Sequence, residues 1–563
     1  VLLEDLFPFA IWAVTAWLAA AIFLRRGASF DLATQGARLR MEFAFLAVVT
    51  VGLLACRYPV LVYPHELNID ESECVAVAHG YTRSLIPFSQ DAHTCGPLNY
   101  YDLMWPAALG LPITYFTIRL TGFVFILGTL FYVRRSVALV AGNRISYLIT
   151  LPLISFYFFA YENGFVHFSS EHFPDLLLAI SIWLIAKYWR LGRSHFFLLG
   201  ALLGTTPFTK LQSSPLAVYL FVVVTVLLLL RARGGTDKLW RGRLVALLLG
   251  GALMPLIIAV PLIAVGRLHD GIYRYIIIPS HYGAGIMTPE LIPLPQLVRT
   301  LLLDGPQFTV YFFALLAVAA AGLVFVARTR LPGEARTWLI GLALSAVYLG
   351  LTIFAVLKPD LPYAHYLMLL PQPVLYVVAW VFRGVRTAGA PEAARARSRI
   401  IVGAFVAVSF CALPTYLFMQ AKLPHIHDPA YATQPLVDPV SAYIKTVTTS
   451  DDLMANWGYS TKYYVEANVA PGVRDFATLY EIFPAGTYDY YRNCFLDDLK
   501  TNKPKVFVDS VGENYLATWP HPIERARATT WPELADYLAQ NYQPPVEIYP
   551  SPNRPAVLVY VRK

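Results

Sequence analysis

The residues best suited to chemistry in this chain crowd into one polar stretch, 64–113, which holds His65, Glu66, Asp70, Glu71, Glu73, His79, Asp91 and His93. Within it, Asn68-Ile69-Asp70-Glu71-Ser72-Glu73 follows directly on an apolar run. Adjacent carboxylates at such a boundary can divide labour: one removes a proton from a hydroxyl nucleophile while the other orients the acceptor or holds a cation. The plain alternative is a solvated loop whose charges face water. A second polar stretch, Ser169-Ser170-Glu171-His172, stands before Phe173-Pro174. Either Glu171 and His172 bind a ligand there, or Ser170 caps the next helix with Glu171 in its favourable first turn.

Cations gather in similar places. Lys210, in Thr-Pro-Phe-Thr-Lys-Leu-Gln, interrupts an apolar run. A charge at mid-membrane costs roughly 2.5–3.5 kcal/mol and less near the edge, so Lys210 either snorkels to the interface or meets an anionic headgroup. Residues 267–305 add Arg267, Arg274, His281 and Tyr282, and Lys358 and His365 stand in Lys-Pro-Asp-Leu-Pro-Tyr-Ala-His-Tyr. Because the arginine fork matches two phosphate oxygens, the set implies an anionic ligand. Carboxylates and histidines here could also hold a divalent cation, although no spacing demands one.

The elements that must position these groups are membrane spans. Of 563 residues, 57% are apolar and only 14% charged, whereas soluble domains carry about 25% charged residues. The 11 Trp, 35 Tyr and 34 Phe exclude a disordered chain, and five Cys exclude a disulfide framework. Apolar runs long enough to cross a bilayer are expected at about 6–24, 43–63, 114–133, 145–161, 173–189, 195–209, 214–230, 244–266, 306–327, 337–357, 365–382 and 400–419. Of the 44 Lys and Arg, 23 fall in every second connection: 25–40, 134–144, 187–193, 231–243, 328–336 and 383–399. That alternation is the positive-inside pattern, so the net charge of +8 reflects topology and not a nucleic-acid surface. It puts the polar stretches above on the outer face. The first run lacks a basic n-region, and Arg25 and Arg26 follow it, the charge order of a retained span.

Residues 420–563 change character, with 13 basic and 16 acidic residues in 144 positions. Lys-Pro-Lys-Val-Phe-Val-Asp (503–509) and Ala-Val-Leu-Val-Tyr-Val (556–561) predict strands, while 438–448 and 531–541 predict helices. The expected architecture is a polytopic α-helical membrane domain, 1–419, with a soluble α/β domain, 420–563, on the outer face. Cys74 and Cys95 share the first polar stretch. A bridge between them would close a loop of about twenty residues and contribute around 3 kcal/mol; buried free thiols are the alternative.

Taken in order, these features resemble the GT-C superfamily of polytopic glycosyltransferases, in particular the bacterial branch related to protein O-mannosyltransferases and the aminoarabinose transferase. The resemblance runs through Asp70-Glu71, Gly96-Pro97-Leu98-Asn99-Tyr100-Tyr101, Ser170-Glu171-His172, Gly200…Gly204…Phe208-Thr209-Lys210, His365-Tyr366…Leu370-Pro371, and the tail with Asn456-Trp457-Gly458. It implies sugar transfer from a polyprenyl-phosphate donor to a glycan, lipid or protein hydroxyl outside a bacterial cytoplasmic membrane, by inverting displacement. It implies Asp70 as general base with Glu71 assisting the acceptor. Lys210 and Arg274, with His281, Tyr282, Lys358 and His365 nearby, are then candidates for the lipid phosphate or donor. Glu73, His93, Glu171 and His172 are candidates for acceptor or donor. There are departures: one additional span precedes the Asp-Glu stretch, and Thr94-Cys95-Gly96-Pro97-Leu98 stands where many relatives carry Lys or His before Pro-Pro-Leu. Two competing expectations are a secondary transporter, which would favour repeated halves and broken mid-membrane helices, and a non-catalytic scaffold with the same fold.

Overall fold

Runs that are apolar on every face cannot fold as surface helices of a soluble domain, and they form a bundle. The computed structural model describes residues 2–24, 35–90, 95–161, 163–280, 292–328, 335–387, 394–410, 438–482, 488–514 and 519–563. Its first half begins with α1 (Leu2–Leu24), α2 (Gln35–Val62) and a polar helix, α3 (Ile69–Arg83). There follow α4 (Tyr115–Ala141), α5 (Asn143–Phe159), α6 (His172–Leu191), α7 (Phe196–Thr205), α8 (Ser214–Arg233) and α9 (Trp240–Ala264). The bundle ends with α10 (Leu294–Asp304), α11 (Pro306–Ala327), α12 (Ala335–Leu357), α13 (Pro371–Thr387) and α14 (Ala394–Phe410).

The expected spans fall on these helices, the last only as far as Phe410, because residues 411–419 lie outside the described ones. Among the described residues, seven stretches are long and apolar enough to cross a membrane: Leu39–Val62, Tyr115–Ala141, Leu211–Arg233, Trp240–Ala264, Pro306–Ala327, Ala335–Leu357 and Ala364–Arg386. The chain is a polytopic membrane protein. At the centre lies α5, buried at every position from Ile145 to Phe159 and packed against α1, α4 and α14.

The short helix α7 owes its position to glycine. A Cβ on Gly200 would lie 2.1 Å from the Leu247 carbonyl oxygen, one on Gly204 2.2 Å from that of Gly251, and one on Gly250 2.1 Å from that of Phe197. The backbones of α7 and α9 therefore touch, the close approach that small residues permit between apolar helices. This contact anchors the α7–α8 turn, where Lys210 sits.

After residue 438 the periodicity changes from helical to alternating. The order is α15 (Pro439–Val447), β1 (Leu453–Trp457), α16 (Lys462–Ala467), β2 (Ala470–Pro471), α17 (Tyr488–Asn502), β3 (Val506–Asp509), α18 (Pro532–Asn541), β4 (Val546–Ile548) and β5 (Val557–Val561). They form one sheet in the order β2-β1-β3-β5-β4, parallel over the first three strands and antiparallel over the rest. Alternate residues feed opposite faces: Met454, Val506, Val508, Val557 and Val559 pack with Ile444 and Tyr463, whereas Ala455, Trp457, Phe507 and Tyr560 pack with Phe495 and Leu534.

This α/β unit sits on the same end of the bundle as α3. Arg274 is buried and pairs with Asp475 (2.6 Å) while its Nε donates to the Tyr490 hydroxyl (3.0 Å). Arg474 bridges Asp270 and Asp498, each at 2.9 Å. Arg83 donates to the Ser450 carbonyl (2.8 Å). Arg274 was expected to hold an anionic ligand; instead its guanidinium is occupied by Asp475 and stacked over Tyr490 and Tyr491, and it serves as a strut between bundle and sheet.

The backbone contact between α7 and α9 makes a direct prediction. Gly204→Val inserts three carbon atoms where one already clashes, and overpacking of this kind costs typically 1–3 kcal/mol. The thermal midpoint in detergent should fall; an unchanged midpoint would contradict the packing described.

Candidate active site

The carboxylates of α3 face two ways, and the helix start decides which. Asn68 caps it, accepting from the Asp70 amide (3.2 Å), and Asp70 and Glu71 occupy the first turn, where the helix dipole favours negative charge. Asp70 and Glu73, three residues apart, share one face. Asp70 keeps about a third of its side chain exposed, and Glu73 lies 3.5 Å from the Tyr459 hydroxyl of the α/β unit.

Glu71 points the other way, into protein. It meets Arg119 through two hydrogen bonds, at 2.8 and 2.6 Å, with both side chains buried. Arg119 spends its remaining donors on the carbonyls of Val60, Tyr63 and His65, so all five N–H groups are satisfied. Glu71 also accepts from the amides of Leu67 and Phe168, each at 3.0 Å. Burial alone would raise its pKa, but the Arg119 guanidinium outweighs it and holds the carboxyl below the usual range. The expectation that Glu71 assists an acceptor is corrected: it is fully buried and fully engaged, and it ties the end of α2, the start of α3, α4 and the loop before α6 together.

That loop delivers a histidine beside Asp70. His167 precedes Phe168, and its ring stands edge-on to that of His365, 5.9 Å between centroids. His365 belongs to a tight 3-10 turn, Ala364–Leu369, ahead of α13, and its Nδ1 is 3.7 Å from Asp70 Oδ2. A Cβ on Gly164 would meet Ala364 at 3.3 Å, so the two turns are in contact. One ligand atom each of Asp70, His167 and His365 lie within 4.8 Å of one another. Ligand atoms bound to one ion at about 2.1 Å stand about 3.0–3.4 Å apart, so side-chain shifts of about 1 Å would make this a two-histidine, one-carboxylate site with open positions.

Beside it lies a buried ion pair. Lys210 Nζ pairs with Glu171 and donates to Ser170 Oγ (2.7 Å), and the ammonium is 4.9 Å from the centre of the Tyr366 ring. Ser169 also donates to Glu171. Burial pushes the Glu171 carboxyl up, yet Lys210 more than offsets it, leaving a pKa of about 2; burial likewise pushes Lys210 down and Glu171 more than offsets that, leaving it raised. Lys210 is held from behind by Gly96, whose amide donates to the Thr209 carbonyl (2.9 Å) and where a Cβ would stand 1.9 Å from the Phe208 oxygen. Gly96 is thus the wedge that seats the Lys210 turn.

The other expected residues fall as follows. His172 is buried, its Nδ1 accepting from the Ser169 amide (3.2 Å) and its ring against Gly122, so it supports the loop. Ser170 bonds Lys210 instead of capping α6. Lys358 is exposed at the end of α12. Cys74 and Cys95 are free thiols, so the expected bridge is absent; Cys74 packs in the α3 core, and Cys95 is turned toward Ser170 and Tyr100. His93, His281 and Tyr282 lie outside the described residues. Two residues escaped sequence reasoning. Arg119 carried a readable signal, an ionisable residue inside an apolar span; His167, in Phe-Val-His-Phe, carried only its nearness to Ser169–His172.

Breaking one side of a buried pair leaves an uncompensated charge and costs about 3–5 kcal/mol. Glu71→Ala should therefore lower the thermal midpoint strongly, Glu71→Met with Arg119→Met should recover much of it, and Asp70→Asn should leave it unchanged; equal midpoints for Glu71→Ala and Asp70→Asn would refute the division between them. The Lys210–Glu171 pair adds a pH dependence. Because Glu171 is depressed from its ordinary 4.5 to about 2, its contribution is present above 4.5 and is lost as pH falls toward 2. A Lys210→Met, Glu171→Gln variant should lose less stability than wild type over that window, read as the midpoint against pH.

No protein-family model matches the chain, and no curated protein matches it. Solved structures do. The crystal structure of ArnT from Cupriavidus metallidurans, bound to undecaprenyl phosphate, is similar at a TM-score of 0.54 and 12% identity, over 93% of this chain and 98% of that one. The Archaeoglobus fulgidus oligosaccharyltransferase tethered to an acceptor peptide gives a TM-score of 0.42 at 11% identity, over 99% of this chain and 74% of that one. ArnT, an aminoarabinose transferase, and the oligosaccharyltransferase both belong to the GT-C superfamily. At such identity the likeness to ArnT speaks for architecture alone: the chain has the GT-C fold.

Proposed function

We propose that this protein is a glycosyltransferase that moves a sugar from a polyprenyl-phosphate donor to a hydroxyl of a glycan, lipid or protein at the outer face of the bacterial cytoplasmic membrane. The observation that carries the reading is the meeting of Asp70, His167 and His365 with the Lys210–Glu171 pair at one end of a GT-C bundle. The similar ArnT structure, which holds undecaprenyl phosphate, supports the donor class. We assign twelve spans, residues 1–419 to the membrane domain and 420–563 to a domain outside. Every connection bearing the polar residues alternates with a basic one, which supports that orientation.

In this reading the acceptor oxygen attacks the anomeric carbon as its proton passes to Asp70. The bond from that carbon to the phosphate oxygen breaks, its electron pair leaves on the polyprenyl phosphate, and the configuration inverts. Asp70 suits the role because, unlike Glu71, it is reachable from solvent. Lys210 has used two of its three N–H donors, on Ser170 and Glu171, and offers the third to the leaving oxygen.

Charge balance favours a divalent cation. With Glu71 and Arg119 cancelling, Asp70, Glu73 and Glu171 set three negative charges against the one of Lys210, a poor reception for a phosphate anion. Asp70, His167 and His365 are the residues that would hold the ion, and its two positive charges would neutralise that excess and favour the leaving phosphate.

Two measurements test this. In proteoliposomes supplied with a polyprenyl-phosphate-linked sugar and acceptor, Asp70→Asn should lower transfer by at least 100-fold at an unchanged thermal midpoint; full turnover in that variant would remove Asp70 as the base. Metal analysis of purified wild type should find about one divalent ion per chain, lost in His167→Ala and in His365→Ala. Equal metal content in all three proteins would exclude this ligand set.

A further inference from the structure

The α/β unit carries a cavity that the transfer reading does not use. It lies at the carboxyl end of β1, has a volume of about 290 Å³, and is lined by Trp457, Ile482, Tyr488, Arg492, Arg525 and Thr530, among others. Its place follows from topology. From β1 the chain passes to β2 on one side and returns to β3 on the other, so the connections diverge above β1 and leave a crevice there. Open parallel sheets bind ligands at such a point. Trp457 ends β1, Tyr488 and Arg492 come from the start of α17, and Arg525 and Thr530 come from the segment after β3. The Trp457 indole N–H donates to the Ala526 carbonyl (2.9 Å), which pins that segment beside the opening.

The lining has a consistent chemistry. Arg492 is clamped between two rings, its guanidinium carbon 3.8 Å from the centre of Tyr488 and 4.8 Å from that of Trp531. Its Nε is committed to the Glu481 carbonyl (2.9 Å), and among the described residues its terminal amino groups have no hydrogen-bond partner. Arg525 is exposed, and its guanidinium likewise has none. Glu481, Glu533 and Asp489 act on Arg492 electrostatically and offset part of its charge without bonding those groups. Two arginines with free forks select a group with paired anionic oxygens, and the half-buried ring of Tyr488 at the rim, above the buried Trp457 floor, supplies flat apolar surface of the kind a sugar ring prefers. The volume is at the lower end for ligand sites, about right for one monosaccharide.

We propose that this crevice binds an anionic hexose, a sugar bearing a phosphate or carboxylate, with Arg492 and Arg525 on the anion and Tyr488 along the ring. The sugar arrives either free or as the end of a glycan. The site is separate from Asp70 and Lys210, and the assignment stands whether or not the transfer reading does.

Calorimetric titration of the full-length protein in detergent tests it. The probes are glucose 6-phosphate, methyl glucuronide, methyl glucoside and inorganic phosphate. The two anionic sugars should bind at least ten-fold more tightly than the neutral glucoside or phosphate, and the tighter of the two distinguishes a free sugar phosphate from a glycan end. Arg525→Ala, on an exposed side chain, should weaken that binding at least ten-fold at an unchanged thermal midpoint, and Lys210→Met with Glu171→Gln should leave it intact. Absence of binding by wild type, phosphate binding as tight as glucose 6-phosphate, or binding that survives Arg525→Ala would each overturn the proposal.

Discussion

The buried pair of Arg119 and Glu71 is the interaction on which the polar end of this bundle depends. An arginine inside an apolar helix has to satisfy five N–H donors, and Arg119 does so with one carboxylate and three carbonyls from the last turn of α2 and the α2–α3 connection. Glu71 in turn gathers the Leu67 and Phe168 amides. Asp70 and His167 are immediate chain neighbours of these anchored residues, so their separation is set by a network that neither belongs to. A buried ion pair adds little stability compared with well-packed apolar side chains, but it fixes which groups must meet. Here it fixes the approach of the first polar loop to the second.

A second constraint is the close contact of backbones. Gly200, Gly204 and Gly250 let α7 and α9 touch, and Gly96 lets the first loop press against the α7–α8 turn. Lys210 is therefore seated by glycines before it is paired by Glu171. The α/β unit completes the enclosure through Arg274–Asp475 and Arg474 between Asp270 and Asp498, which hold Tyr459 over Glu73. An ionic interface of this kind suits a domain that must hold a fixed position over an open site.

Much of this was legible in the sequence, and what was not has a physical cause. The helices of the bundle were legible because bilayer crossing demands length and apolarity that no other element needs. Strands β3 and β5 were legible from their valine-rich runs; β2 and β4 were not, being only two and three residues long, and β1, Leu-Met-Ala-Asn-Trp, has no β-branched residue. Asp70 and Glu71 drew notice as a pair, but spacing on a helix turns neighbours about 100° apart, so one reaches solvent while the other is buried. Arg274 looked like an anion ligand because its partner, Asp475, is 201 residues away in sequence. His167 and His365 meet across a similar distance, and only the contact of two turns reveals them as one site.

The central claim is that this end of the bundle receives a polyprenyl phosphate, and native mass spectrometry of the detergent-purified protein tests it most directly. The comparison is wild type against a Lys210→Met, Glu171→Gln variant, which removes the ammonium without stranding a buried charge. The account predicts that wild type retains or takes up undecaprenyl phosphate as a one-to-one adduct and that the variant, folded to the same thermal midpoint, loses it. Failure of the added lipid to bind wild type, or equal binding by both proteins, would contradict it.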